Sequence, residues 1–322
     1  MKPLISGIHH ITAIAGNAQA NVDFYTGILG LRLVKKTINF DAPDVYHFYF
    51  GDELGSPGTV FTTFPFQGAR KGSKGVGELT YTAFSIAKGA LPFWRERLQK
   101  YGVVVSDTLT RFGDELIRFE DHDGMGIELI ANDRDSRKGW TYGPIPLDFS
   151  IKGFYGVTLY LKAKELTAKL LTEHMNYTLI GQEGNRFRYG TEGKPGDIVD
   201  ILVDPNGNRG MQSAGTVHHI AFRTANEETQ LEMQHLLMKN GYMVTEVKDR
   251  NYFKSIYFRE PGGVLFEIAT DEPGFSIDED EAHLGELIKL PDWAESSREK
   301  IEKGLVPVQL NIENYEYPQS HQ

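Results

Sequence analysis

Cysteine is absent from the 322-residue chain, which excludes disulfides, zinc–thiolate sites, iron–sulfur clusters and a cysteine nucleophile. No apolar run approaches the roughly 18 residues of a membrane span, and residues 1–10 lack the apolar stretch of a secretory leader. Basic residues are in deficit: 34 Lys plus Arg against 44 Asp plus Glu give a formal charge of −10. That disfavours a nucleic-acid backbone or an anionic membrane as the main partner. There is no Gly-x-Ser-x-Gly elbow. The glycine-rich run 68–77 lacks the strand–loop–helix context and the Gly-Lys-Ser/Thr ending of a phosphate loop, so it reads as a solvated loop or pocket lid. What remains is a globular protein, 40% apolar, with a sizeable core. The expected setting is a reducing cytoplasm.

Two stretches resemble each other: Gly7-Ile8-His9-His10-Ile11-Thr12 and Thr216-Val217-His218-His219-Ile220-Ala221. Each is a β-type run with a His–His pair, followed by a polar stretch, an amphipathic helical pattern and a glycine. In the first copy Val22, Tyr25, Ile28 and Leu29 form the apolar stripe, with Gly30 at the C′ position. In the last copy Leu231, Gln234, Leu236 and Leu237 lead to Asn240-Gly241. Two further copies lie between. One starts at 79–84, with a helix pattern from Leu91 to Leu98 ending near Gly102; the other starts at 155–160, with a helix from about Lys164 to His174 capped by Asn176. Short alternating runs follow each helix, and turns at 121–124 and 260–263 join the last two runs as hairpins.

The module therefore reads β-α-β-β-β four times, in fold class α+β. One copy alone leaves a sheet face bare. Modules should pair into two curved mixed sheets, helices outside, with the inner face free to enclose a small molecule. The expected division is an N-terminal module pair at 1–135, a linker at 136–152, a C-terminal module pair at 153–270 and a tail at 271–322. The tail carries one helical pattern, from Asp292 to Lys303. Its run Asp278-Glu279-Asp280-Glu281 reads as a solvated cap rather than a metal site.

Alternation along a strand allows one imidazole of each pair to face the cup. His10 shares a face with Thr12 and Ile14, and His219 with Val217 and Ala221. His9 and His218 fall on the bulkier faces, suited to helix packing. Glu267 lies in the apolar strand 263–269, where a carboxylate is costly unless something positive meets it. Singly, each histidine is an ordinary polar strand residue, and Glu267 could pair with Arg259. Together, two His–His pairs at matching places of a repeat plus Glu267 favour a metal. Two imidazoles and one carboxylate are the ligand set of non-haem Fe(II) oxygenases, and Mn(II) accepts the same set. Module two has Glu128 at the place of Glu267 but Tyr81 and Thr82 instead of histidine. Module three has Gly156 and Val157, with Asp200 near its end. One metal site, shared by modules one and four, is expected, with Glu128 structural. The aromatics Tyr46, Phe48, Phe50, Phe61, Phe64 and Phe66 read as mostly core, a few being free to line an aromatic-binding pocket.

With these features the chain resembles the vicinal oxygen chelate superfamily, which comprises glyoxalases, bleomycin resistance proteins and extradiol dioxygenases. Within it the resemblance is to ring-cleaving dioxygenases acting on hydroquinones. It is carried by the stretches 7–12, 52–59 (Asp-Glu-Leu-Gly-Ser-Pro-Gly-Thr), 62–65 (Thr-Thr-Phe-Pro), 181–186 (Gly-Gln-Glu-Gly-Asn-Arg) and 261–267 (Pro-Gly-Gly-Val-Leu-Phe-Glu). Gly274-Phe275 with the acidic run 278–281 adds to it. The resemblance extends over nearly the whole chain. It implies Fe(II) ligation by His10, His219 and Glu267, in agreement with the reading above, and a surround of His9, Thr12, His218, Arg250 and Tyr257. Strand alternation turns His9 and His218 away from the pocket; a local bulge would reconcile them.

The activity so implied is O2-dependent cleavage of a hydroquinone-type or catechol-type diol. Tyr257 or a nearby histidine would donate a proton, and Arg250 would stabilise negative charge. A glyoxalase-type isomerase usually takes a fourth ligand from the last strand of module one, which here reads Val60-Phe61-Thr62-Thr63. A non-catalytic binder of an aromatic compound or drug would leave the three ligands unexplained. The expected partners are a small aromatic diol and O2, with no nucleic acid and no membrane; self-association as a homo-oligomer is left open.

Overall fold

The computed structural model describes residues 3–315. Module one runs β1 (Ile8–Ala15), α1 (Ala18–Val22) continuing into a π-helical turn at Asp23–Ile28, β2 (Arg32–Asn39), β3 (Ala42–Gly51) and β4 (Val60–Pro65). Module two runs β5 (Glu78–Ala87), α2 (Leu91–Lys100), β6 (Leu109–Arg111), β7 (Asp114–Glu120) and β8 (Gly126–Asn132). Module three has β9 (Phe154–Leu161), α3 (Glu165–His174), β10 (Thr178–Glu183), β11 (Arg186–Gly190) and β12 (Ile198–Val203). Module four has β13 (Thr216–Thr224), α4 (Glu227–Lys239), β14 (Lys248–Asp249), β15 (Phe253–Arg259) and β16 (Leu265–Pro273). Positive φ at Gly30 and Gly241, and at Asn176, ends the helices where the sequence pattern stops. Helix α4 starts on a capping box between Asn226 and Thr229.

Two curved eight-stranded sheets result. The first has the order β14-β15-β16-β13-β1-β4-β3-β2, the second β10-β11-β12-β9-β5-β8-β7-β6. Modules one and four thus share one sheet and modules two and three the other, so each sheet takes one module from each half of the chain. Both are built alike. An antiparallel pair sits at the centre (β1 with β13, β5 with β9), and each central strand has its own module's last strand parallel beside it.

Buried apolar residues of all four modules make one continuous core. Tyr25 stacks on Phe61 at 4.7 Å between ring centroids, and Phe84 stacks on Phe154 at 5.3 Å. Phe61 meets Phe84 edge to face at 6.2 Å, so the chain of rings crosses from one sheet to the other. The π-helical turn of module one leaves carbonyls at Gly27 and Ile28, and the buried Arg97 of α2 donates to both. The run 68–77 is not a lid on the histidine-lined cavity. Lys71, Ser73 and Val76 form isolated bridges with Ala214, Met211 and Arg209, strapping the two sheets together. Among the described residues no helix is long and apolar enough to cross a membrane.

The tail holds two short helices, α5 (Asp292–Glu295) and α6 (Arg298–Gly304), where the sequence pattern suggested one. Its acidic run is only partly a solvated cap. Lys35 of β2 is fully buried, and its Nζ lies 2.5 Å from both Asp278 and Glu279. The Glu279 side chain is 4% exposed. Removing one partner of a buried ion pair leaves the other charge uncompensated. Lys35→Met is therefore expected to lower the free energy of unfolding by about 3 kcal/mol, read from urea denaturation, and to speed proteolysis within the tail. An unchanged urea midpoint would contradict the role given to this pair.

Candidate metal centre

The register between β1 and β13 explains how two histidine pairs meet. Ile11 stands opposite Ile220, with His10 opposite Ala221 and Thr12 opposite His219. The ladder skips His9 on one strand and His218 on the other. Each skipped residue is the extra member of a bulge, a device that re-aims neighbouring side chains beside functional sites. Glu267 on β16 lies opposite Ala221 across the parallel pair, which sets it on the face of His10 and His219.

His10, His219 and Glu267 are all buried and converge. His219 Nε2 lies 2.9 Å from Glu267 Oε2, His10 Nε2 lies 3.4 Å from it, and the two Nε2 atoms are 3.4 Å apart. Glu267 Oε2 nevertheless has no hydrogen-bond partner among the described residues. Three potential ligand atoms thus converge on a common space. Metal–donor bonds of about 2.1 Å set donor–donor edges of about 3.0 to 3.4 Å. The triangle therefore fits one ion. The same buried carboxylate, desolvated and without a cation, would otherwise be costly; the neighbouring His10 and His219 hold it well below the usual carboxylate range against the upward push of burial. Its other oxygen accepts from the buried Ser255 hydroxyl.

The preceding histidines fix the ligands' tautomers. His10 Nδ1 lies 2.9 Å from His9 Nδ1, and His219 Nδ1 lies 2.8 Å from His218 Nδ1. Ligation of an ion through Nε2 requires a ligand histidine to carry its hydrogen on Nδ1. His9 Nδ1 is then the acceptor for His10 Nδ1–H, which leaves the His10 Nε2 lone pair free for an ion. By the same pattern His219 donates to His218 and frees its own Nε2. Burial, reinforced by the adjacent histidine, lowers both His9 and His218 to a pKa of about 3, so both stay neutral. His218 lines the central cavity. His9 does not; it sits behind His10 with its ring against Phe253.

The cavity in front of the triad has a volume of about 620 Å³. Ile14, Phe64, Phe66 and Phe253 give it an apolar and aromatic wall, and Arg250 and Tyr257 stand among its polar residues. Arg250 Nε donates to the Tyr257 hydroxyl oxygen at 3.2 Å, which leaves the phenolic hydrogen free. Burial, then the charge of Glu267, raises the Tyr257 pKa and keeps it protonated.

Among the cavity residues that sequence reasoning missed are His47 and Tyr49 of β3. Tyr49 donates to His47 Nδ1 at 2.9 Å, His47 Nε2 meets Thr62 Oγ1 at 2.9 Å, and Thr62 donates to Thr12 at 2.8 Å. Because Thr62 gives its proton to Thr12, its oxygen receives the one on His47, and the chain is satisfied in a single direction. Burial pushes His47 well below the usual imidazole range. Thr12 lies at the inner end of this chain, fully buried and outside the cavity lining. Thr62 stands opposite Thr12 as Glu267 stands opposite Ala221. A threonine thus occupies the place from which a fourth ligand would come.

The Glyoxalase/Bleomycin resistance protein/Dioxygenase superfamily pattern matches residues 7–129 and 158–268. The chain is 47% identical over 304 residues to a Bacillus subtilis (strain 168) protein named as a candidate ring-cleaving dioxygenase, MhqO, with 94% of this chain and 97% of that one covered. It is 37% identical over 305 residues to the chlorohydroquinone/hydroquinone 1,2-dioxygenase of Sphingobium indicum, with 92% and 95% covered. A crystal structure of a candidate B. subtilis dioxygenase has a TM-score of 0.92 at 46% identity, covering 95% of this chain and 98% of its own. Glyoxalase I from Zea mays shares the fold alone: its TM-score is 0.60 at 16% identity, with 82% and 92% covered.

A ligand that binds only the folded state stabilises it by mass action. Anaerobic titration with Fe(II) or Mn(II) is expected to saturate at one ion per chain. At a free concentration 100 times Kd it should add about 2.7 kcal/mol to the unfolding free energy. His219→Ala and Glu267→Gln should abolish both effects. Equal stabilisation of wild type and variants would show that the ion binds elsewhere.

Proposed function

The chain belongs to the glyoxalase/bleomycin resistance protein/dioxygenase superfamily, and from that membership we propose that it is an Fe(II)-dependent ring-cleaving dioxygenase. The substrates we assign are hydroquinone-type aromatic diols, with catechol-type diols as the nearest alternative, and O2 is the co-substrate. The observation that carries this reading is the buried triangle of His10, His219 and Glu267, three donors rather than four, opening on an aromatic-walled cavity. Such a set leaves several positions of an octahedral ion to non-protein ligands. Thr62, hydrogen-bonded to Thr12 and His47, counts against an isomerase with four protein ligands. Mn(II) suits the same donors.

The bound metal would supply adjacent positions for a diol oxygen and dioxygen and a path for electrons between them. The chain's own residues divide the remaining work. Tyr257 carries a proton that burial keeps on its oxygen, and Arg250 donates to that oxygen, which leaves the phenolic hydrogen available to give. This suits it to act as the proton donor to an oxygen atom in the cavity. Arg250 also lines the cavity as a cation able to stabilise negative charge on the substrate. His218, accepting at Nδ1 from His219, carries its hydrogen on Nε2 and offers a donor. His9 and Thr12 act one layer behind, His9 by orienting His10 and Thr12 by closing the Tyr49–His47–Thr62 chain. The apolar wall of Phe64, Phe66 and Ile14 suits an aromatic ring.

The test is oxygen uptake by Fe(II)-loaded protein given hydroquinone, methylhydroquinone or catechol, followed together with ring absorbance. We expect one O2 consumed per ring lost, with no turnover by His219→Ala. Tyr257→Phe should lower kcat by about 100-fold or more with KM little changed. Metal-loaded protein that consumes no O2 with any of the three diols would reject the assignment; unchanged kcat in Tyr257→Phe would remove the acid role alone.

A further inference from the structure

The second sheet repeats the geometry of the first without its histidines. Thr82 stands opposite Val157, and the ladder skips Thr80 and Tyr155, as it skips His218 and His9 in the other sheet. Tyr81 and Gly156 therefore occupy the positions of the ligand histidines. Glu128 lies opposite Ala83, and Asp200 opposite Thr158, the register places held by Glu267 and Thr62 in the metal-binding sheet.

Arginines fill the space where an ion would sit. Arg111 binds Glu128 through two bonds of 2.7 Å, and Arg118 Nε adds a third at 2.7 Å. Arg188 grips Asp200 at 2.8 and 3.0 Å, and Arg186 Nη1 reaches Asp200 at 3.1 Å and Thr158 Oγ1 at 2.9 Å. The two groups touch, with Arg111 Nη1 4.0 Å from Asp200. Four guanidinium groups thus face two buried carboxylates. Glu183, which accepts from the Phe112 N–H, lines the cavity beside these arginines, and even with its charge counted the cations remain in excess.

A buried excess of positive charge is costly unless a counter-ion meets it. The Arg186 side chain is 9% exposed, and its Nε and Nη2 donate to no described residue. Arg186 lines a cavity of about 270 Å³ together with Arg111 and Arg118. Arg118 spends only Nε on Glu128, and its guanidinium lies over the Tyr81 ring at 4.8 Å. The free edges of two guanidinium groups, in a small cavity with surplus positive charge, match an oxyanion, which takes paired N–H donors side by side.

We propose that the arginine-lined cup of modules two and three is a binding site for a small oxyanion, a phosphate or a short carboxylate, held between Arg186 and Arg118. The site is separate from the metal centre and does not depend on the activity assigned above.

Calorimetric titration of the metal-free full-length chain tests it, with sodium phosphate and sodium malonate in separate runs at ionic strength fixed by chloride. Saturable binding of one anion per chain is expected. It should persist in His219→Ala and weaken at least tenfold in Arg186→Gln and Arg118→Gln. Arg118 is about one-third exposed, so its variant keeps the test sound if Arg186→Gln misfolds by losing the Arg186 bonds to Asp200 and Thr158. Saturation by phosphate alone assigns a phosphate, and saturation by malonate alone a carboxylate. No saturable heat with either anion would overturn the proposal. So would binding that survives both arginine substitutions, or binding lost in His219→Ala.

Discussion

Six register pairs, from Ile8 opposite Phe222 to Ile14 opposite Thr216, join β1 to β13, and the candidate metal centre depends on that join. Neither strand carries a site alone. Each offers one inward histidine and a second that fixes its tautomer, and the antiparallel register brings the two sets face to face. The bulges at His9 and His218 belong to the same constraint: an added residue in each strand lets consecutive imidazoles touch through Nδ1 instead of pointing to opposite faces. A slip of one residue would turn His10 toward the helices and bring an apolar side chain into its place.

The two sheets give one scaffold two electrostatic solutions. Where module four carries His219, Tyr257 and Glu267, module two carries Tyr81, Arg118 and Glu128, since Tyr257 faces Glu267 as Arg118 faces Glu128. A buried carboxylate needs a positive partner in either case. In the first sheet the proposed partner is an ion, held by imidazoles, that could also bind non-protein ligands. In the second, guanidinium groups bind the carboxylates directly. The difference between a metal centre and an arginine-filled cup thus rests on a few side chains in an otherwise repeated frame.

Much of this was legible in the sequence because it lay in repetition. The matched His–His pairs identified the modules, and Gly30, Asn176 and Gly241 marked helix ends that the structure keeps at positive φ. Glu267 stood out as a charge in an apolar strand. His47 and Tyr49 were harder to see, though a signal existed: Tyr46, Phe48 and Phe50 alternate with them and fill the core, which leaves His47 and Tyr49 for the opposite face. The bulges have no composition signal, because they arise from pairing between strands about 200 residues apart. Glu279 was hidden for a similar reason. Its partner Lys35 is distant in sequence, so a run of acids looked solvated when half of it clamps a buried cation.

The central claim is that His10, His219 and Glu267 alone bind the catalytic metal, with its open positions facing the cavity. The most direct measurement is an anaerobic crystal structure of the Fe(II)-loaded protein with a hydroquinone, the ion located by anomalous scattering at the iron edge. The account predicts one ion bonded to His10 Nε2, His219 Nε2 and Glu267 Oε2, with a diol oxygen among its remaining ligands and the ring against Phe64 and Phe66. An ion held by four protein side chains, or one bound away from this triangle, would contradict it.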